Sequence, residues 1–80
     1  MNVANLEDEV RALIADILEA DPQQLDPSAR LVEDLGMNSM MALEIIASLE
    51  KRYKIRLPEQ ELQEVKTLQR VIDLARRYVH

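Results

Sequence analysis

Hydrophobic positions near the start of the chain repeat at the spacing of an α-helix. Apolar side chains recur at three- and four-residue steps and predict a first helix over residues 5–20. These side chains are Val3, Leu6, Val10, Leu13, Ile14, Ile17 and Leu18. Asn5 can cap this helix, and the acidic residues that follow suit the positive end of its dipole. The Asp21-Pro22 pair disfavours helical backbone and ends the helix.

Three further helices are predicted after residue 38. The second spans residues 39–53 and contains neither glycine nor proline. Pro58 favours a first helical turn and predicts a short third helix over residues 58–64. Thr67 can cap a fourth, whose apolar positions are Leu68, Val71, Ile72, Ala75 and Val79. The predicted fold is therefore an all-α, small four-helix bundle in which residues 1–80 form a single domain.

The stretch between the first two helices is a long loop without a regular period, from Pro22 to Asn38. Loops of this length in small domains are usually functional or disordered. We expect four apolar side chains to be buried anchors that keep this one ordered: Leu25, Leu31, Val32 and Leu35.

The second helix carries more apolar side chains than one buried face needs. At 100° per residue, one stripe would face the core. It consists of Ala42, Ile45, Ile46, Leu49 and Tyr53. Met40, Leu43 and Ala47 lie nearly opposite, beside Glu44. This second set either packs against the long loop or forms a contact surface for another molecule.

Ser39 stands where the loop becomes the second helix. Gly36 permits a left-handed backbone just before the helix, and Asn38 is a good cap for its first turn. Ser39 would then lie at the first helical position, where a phosphoester would meet free N–H groups and a favourable dipole. The alternative interpretation is that Ser39 simply starts or caps the helix.

Composition removes several classes of function. The chain has no cysteine, so disulfides and Cys-ligated metals are excluded, and its one histidine is the terminal His80. No metal site or catalytic side-chain set is predicted. No apolar run approaches the ~20 residues of a membrane span, and no signal segment is recognised, so the expected location is cytoplasmic. A formal charge of −5 argues against nucleic acid as a partner.

The charge is divided unevenly between the two halves of the chain. Residues 1–40 carry two basic and nine acidic side chains, whereas residues 41–80 carry eight basic and six acidic ones. A basic partner could dock on the acidic half, or the mixed charges could simply solvate helical surfaces.

The segment around Ser39 resembles the attachment motif of acyl carrier proteins. The run Asp34-Leu35-Gly36-Met37-Asn38-Ser39-Met40, followed by Leu43-Glu44, is similar to the family pattern D-L-G-x-D-S-[LM] with a later L/V-E. Further similarities extend over nearly the whole chain. They are the helix order, Leu49-Glu50 before Tyr53, Ile55-Arg56-Leu57-Pro58, and Lys66-Thr67-Leu68 before the last helix.

The resemblance implies a carrier rather than an enzyme. A phosphopantetheinyl transferase would move 4′-phosphopantetheine from coenzyme A onto Ser39, with Gly36 and Asn38 shaping the site. The terminal thiol would carry acyl groups as thioesters between acyl-loading and synthase-type enzymes of fatty-acid, polyketide or related biosynthesis. The protein would act as a monomer. The expected partner-binding residues are Asp34, Met37, Met40, Met41, Leu43, Glu44, Ala47 and Glu50.

Departures from the family pattern predict a specialised member. Asn38 replaces the usual Asp, Met41 stands at a commonly acidic position, and Lys51 and Arg52 replace acids near the helix end. The partner-reading helix is therefore less acidic and more apolar than is usual. Gly36-Met37-Asn38-Ser39 also lacks the adjacent glycines usual in peptide-synthetase carriers, which makes that cargo less favoured.

The alternative function is an unmodified helical interaction module. It would use the apolar patch around Met37, Met40 and Leu43 to bind a partner helix.

Overall fold

The computed structural model describes residues 6–79, in which three α-helices and two 3₁₀ helices alternate. The α-helices are α1 (Leu6–Leu18), α2 (Ser39–Tyr53) and α3 (Leu68–Tyr78). The 3₁₀ helices are Pro22–Gln24 and Glu59–Glu64. The predicted cap Asn5, the apolar Val3 and the terminal His80 lie outside the described residues. The all-α bundle with a short third helix is confirmed, and that third helix is of the 3₁₀ type.

Two α-helices end on a residue in the left-handed region. Glu19 and Lys54 both have a φ of 55°. α1 consequently stops two residues before its predicted end, and the N–H of Ala20 reaches back to the carbonyl of Ala15 at 2.8 Å. This backbone hydrogen bond satisfies a carbonyl that a helix terminus would otherwise leave open.

One hydrophobic core joins the three α-helices. All buried side chains within residues 6–79 are hydrophobic. α1 contributes Leu6, Val10, Ile14 and Ala15; α2 contributes Ala42, Ile45 and Leu49; α3 contributes Leu68, Val71, Ile72, Leu74 and Ala75. Ile46 and Tyr53 of the predicted α2 stripe are half-buried at its edge. Burial of such side chains is the main favourable contribution to folding.

A polar clamp ties α1 to the end of α2. The Tyr53 hydroxyl donates to Glu9 Oε1 at 2.7 Å, and Arg52 Nε lies 3.8 Å from the same oxygen. Partial burial of the ring, reinforced by the Glu9 carboxylate, raises the pKa of Tyr53 to about 12. The phenol therefore stays protonated and continues to donate at neutral pH.

The long loop is ordered by fewer anchors than the sequence predicts. Leu25 and Leu31 are buried, and Leu35 packs against the core, but the Val32 side chain is 50% exposed. The prediction for Val32 is wrong because Leu31 already points inward, and its neighbour lies in the following turn with its side chain outward. In the described range 6–79, no helix is long and apolar enough to cross a membrane.

Candidate functional site

Ser39 is the first residue of α2 and is exposed. Gly36 precedes it with a φ of +70°, a conformation that strains a residue bearing a Cβ. Asn38 then adopts an extended backbone and caps the helix. Its Oδ1 accepts from the Met41 N–H at 2.9 Å, and its carbonyl accepts from the Ala42 N–H at 3.0 Å. The backbone therefore turns sharply and presents the Ser39 hydroxyl at the helix start.

The first turn of α2 can accommodate an anion bonded to Ser39. Asn38 engages two of the helix's first amide groups, and no acceptor within residues 6–79 pairs with the N–H of Ser39 or Met40. No acidic side chain lies in this turn. Free amides and the positive end of the helix dipole together favour a phosphate at this position.

Backbone hydrogen bonds from the loop hold the start of α2 in place. The Leu31 N–H donates to the Lys66 carbonyl at 2.9 Å, and the Leu31 carbonyl accepts from the Met37 N–H at 2.9 Å. Leu31 thus connects the segment before α3 to the segment before Ser39. Because Leu31 is buried, these two hydrogen bonds also attach the site to the core.

Met37 does not belong to the exposed patch that the sequence predicts. Its side chain is 5% exposed and lies in the hydrophobic core. The cause is the hydrogen bond to Leu31, which draws the backbone of Met37 against the bundle. Met37 therefore adds little to the exposed apolar surface beside Ser39, and its role as a partner contact stays a prediction. Only an alternation of buried and exposed residues along the loop could have indicated that Met37 is buried. A single loop residue is too short a stretch to show such an alternation.

A stripe of α2 next to Ser39 faces away from the bundle. It consists of Met40, Leu43, Glu44 and Ala47, which we call the α2 outer face. All four are exposed, and Met40 and Leu43 leave 70% and 55% of their surface uncovered. Of the two interpretations of this apolar set, packing against the loop is wrong because these side chains remain open.

The other predicted partner contacts have internal roles. Asp34 accepts from the Arg30 backbone N–H at 2.9 Å and from its guanidinium at 3.2 Å, and these hydrogen bonds hold the Asp34 pKa below its usual range. Glu50 is half-buried and accepts from the Leu57 N–H at 2.8 Å, which secures the chain after α2. Met41 is half-buried and packs against the core. These hydrogen bonds join residues only four and seven positions apart, but helical periodicity does not predict them because they involve loop backbone.

No group of three or more histidine or acidic side chains suited to a metal ion occurs in the described part of the chain. Asn38, the residue before Ser39, does not act as a general base for the serine hydroxyl, because its side-chain oxygen caps α2. What the geometry offers is an exposed hydroxyl at a helix start, with an apolar face beside it.

Comparison with known proteins identifies this arrangement. The phosphopantetheine attachment site family matches residues 8–75. The polyketide-8 synthase acyl carrier protein 2 of Streptomyces avermitilis is 42% identical over 67 residues, covering 84% of this chain and 77% of the relative. The acyl carrier protein of Thermosynechococcus vestitus is 36% identical over 73 residues, covering 91% and 90%.

The fold has a solved counterpart. The solution structure of the apo doublet acyl carrier protein from prodigiosin biosynthesis matches 95% of this chain with a TM-score of 0.81 at 22% identity. This chain spans 37% of that one, and the likeness concerns the fold alone. The family's proteins are carriers, not catalysts; they bear covalent 4′-phosphopantetheine, which a phosphopantetheinyl transferase attaches, and they interact with synthase-type enzymes. The chain belongs to the acyl carrier protein family and has an acyl carrier role in fatty-acid or polyketide biosynthesis.

Proposed function

We propose that Ser39 is the residue to which 4′-phosphopantetheine is attached. The observation that carries this assignment is an exposed hydroxyl at the first position of α2, between the Asn38 cap and free first-turn amides. The two other serines lack this setting. Ser28 is held in the loop by a 2.7 Å hydrogen bond to Asp26, and Ser48 is half-buried within α2.

The modification is a phosphoryl transfer that the Ser39 hydroxyl receives. Its Oγ forms a bond to the pantetheine-side phosphorus of coenzyme A, the bond to the second phosphate breaks, and adenosine 3′,5′-bisphosphate leaves. The hydroxyl proton passes to a base on the transferase. Because the chain has no cysteine, the thiol that bears the acyl thioester comes from the attached group.

The α2 outer face supports a role in reading partner enzymes. Met40 and Leu43 are exposed beside the attachment residue, with Glu44 as the acidic member of the face. Flexible methionine and leucine side chains favour hydrophobic contact, whereas a purely acidic helix favours charge pairing. We infer that transferase, acyl-loading and synthase-type partners dock here, and that this carrier serves a dedicated pathway.

The attachment test uses coenzyme A, a promiscuous phosphopantetheinyl transferase and intact mass spectrometry. We expect one phosphopantetheine adduct on the protein and on the controls Ser28→Ala and Ser48→Ala, and no adduct on Ser39→Ala. Circular dichroism of Ser39→Ala verifies that the variant is folded. A protein that stays unmodified while a control carrier is loaded would overturn the proposal and favour an unmodified interaction module.

The dedicated-pathway proposal is tested with enzymes of housekeeping fatty-acid synthesis. We expect slow acyl transfer to the modified protein, with Lys51→Glu increasing the rate because it restores an acid at an exposed position near the end of α2. Normal rates for the unchanged protein would contradict the proposal.

A cytoplasmic location and a monomeric state remain predictions. Copies of the chain with a net charge of −5 repel one another, which supports the monomeric state.

A further inference from the structure

A groove lies between the turn after Leu31 and the start of α3. Its walls are Arg30, Val32 and Glu33 on one side and Val65, Lys66, Thr67 and Arg70 on the other, and its volume is about 480 Å³. The two sides are joined by backbone pairing, because Arg30 and Thr67 form an antiparallel bridge. The groove is therefore a built feature of the fold rather than a gap between mobile side chains.

The groove is cationic on an otherwise acidic protein. Lys66 and Arg70 are exposed, and neither has a carboxylate within 4.0 Å among residues 6–79. Arg30 contributes a third positive charge, which is shared with Glu33 at 3.7 Å and Asp34 at 3.2 Å. Two positive charges at this place are thus free to pair with an incoming anion.

An exposed apolar side chain lies among these charges. Val32 is 50% exposed, and it is not part of the α2 outer face that serves the proposed carrier function. Its carbonyl accepts from the Gly36 N–H at 3.0 Å, so its position in the turn is fixed. An apolar centre with a charged rim is the usual composition of a protein–protein contact, whereas a small inorganic anion would leave Val32 uncovered.

We propose that this groove binds a short acidic segment of a partner protein that also carries an aliphatic side chain. Carboxylates of the segment pair with Lys66 and Arg70, and the aliphatic side chain covers Val32. A long polyanion such as nucleic acid does not fit, because the rest of this acidic chain repels it. A short segment senses mainly the local charges, since screening at physiological salt limits the field to about 8 Å.

The groove gives the carrier a second contact that is distinct from Ser39. The hydrogen bonds of Leu31 to Lys66 and Met37 connect the groove to the backbone preceding α2, but none of the groove side chains belongs to the attachment segment. A partner could therefore hold the protein by the groove while its active site receives the arm. Binding in the groove is independent of the Ser39 assignment, and Ser39→Ala should retain it in full.

The test is an NMR titration of the ¹⁵N-labelled full chain at low salt with a short peptide of alternating glutamate and leucine. We expect shifts confined to the amides of residues 30–33 and 65–70, and weaker binding as salt is added. The double variant Lys66→Glu/Arg70→Glu should weaken binding on the order of tenfold or more because it reverses two paired charges. The control Lys51→Glu/Lys54→Glu makes the same net-charge change at the other end of α2 and should alter affinity less than about twofold.

Four results would overturn the proposal. One is the absence of shifts at groove amides, or shifts centred on the α2 outer face. Another is an equal response to inorganic phosphate or to a glutamate–glycine peptide, which would indicate a simple anion site. A third is an equal loss of binding in the two double variants. The fourth is a concentration-dependent shift of groove amides without peptide, which would make a second copy of the chain the occupant.

Discussion

Replacing Asn38 by alanine tests the link between the fold and the attachment site. The Asn38 side chain supplies the acceptor for the Met41 N–H at 2.9 Å, and alanine removes that acceptor without touching the core. The Ala42 N–H keeps its partner, because the Asn38 backbone carbonyl is unchanged. The substitution therefore isolates one side-chain cap at the helix that presents Ser39.

The expected loss follows from that single hydrogen bond. Loss of an N-cap asparagine lowers the free energy of unfolding by about 1 kcal/mol. In a domain of this size, that change lowers the melting temperature by about 4–8 °C. Asn38→Asp retains an acceptor and adds a negative charge at the positive end of the helix dipole, so we expect stability equal to or above that of the unchanged protein.

Urea unfolding followed by circular dichroism measures the stabilities, and intact mass spectrometry measures the modification rate at Ser39. We expect Asn38→Ala to unfold at lower urea and to be modified more slowly, because its first helical turn frays. Asn38→Asp should be modified at least as fast as the unchanged protein. Equal stability of Asn38→Ala and the unchanged protein would refute the capping argument, and a destabilised variant modified at the normal rate would refute its link to the site.

Five further substitutions test the loop and the clamp. Gly36→Ala should cost about 1 kcal/mol of unfolding free energy from its positive φ, and Gly36→Asn less, because asparagine tolerates that region better. Leu31→Ala should cost about 3 kcal/mol because the side chain is buried, while Val32→Ala on the exposed neighbour should cost below about 0.5 kcal/mol. Tyr53→Phe should lower stability by about 1 kcal/mol at neutral pH through loss of the hydrogen bond to Glu9, and should flatten the fall in stability above pH 10.

The sign of the pH effect follows from the raised pKa of Tyr53. An unfolded tyrosine loses its proton near pH 10, whereas the folded one holds it to about 12, so the folded state binds more protons between these values. Stability is therefore lost as the pH rises through that window. Urea midpoints measured from neutral pH upward test the stabilities of these variants. An unchanged dependence of stability on pH in Tyr53→Phe would contradict the argument for the clamp. Equal losses of stability in Leu31→Ala and Val32→Ala would contradict the argument from burial. A Gly36→Asn variant less stable than Gly36→Ala would contradict the argument from the positive φ.

Local periodicity and capping chemistry were enough to predict the three α-helices, but the 3₁₀ helix Pro22–Gln24 lies in the predicted loop and was missed. The 3.6-residue repeat placed α2 at Ser39–Tyr53, and the side chains of Asn38 and Thr67 form the caps expected of them. These features depend on residues within about one helical turn of one another, so the sequence carries their full signal. The end of α1 was less well predicted, because the left-handed conformation of Glu19 is not a strong preference of glutamate.

The motif around Ser39 was also readable from the chain, but the surface around it was not. Leu31 bonds to Lys66, which lies far along the sequence, and this pairing turns Met37 into the core while Val32 stays outside. Val32, which was predicted to be buried, is thus exposed, and Met37, which was predicted to contact partners, is buried. In the same way, the cationic groove exists only because the turn after Leu31 packs beside the start of α3. Spacing along the chain specifies which helices form and where the serine stands; contacts between distant segments select which side chains remain exposed for partners.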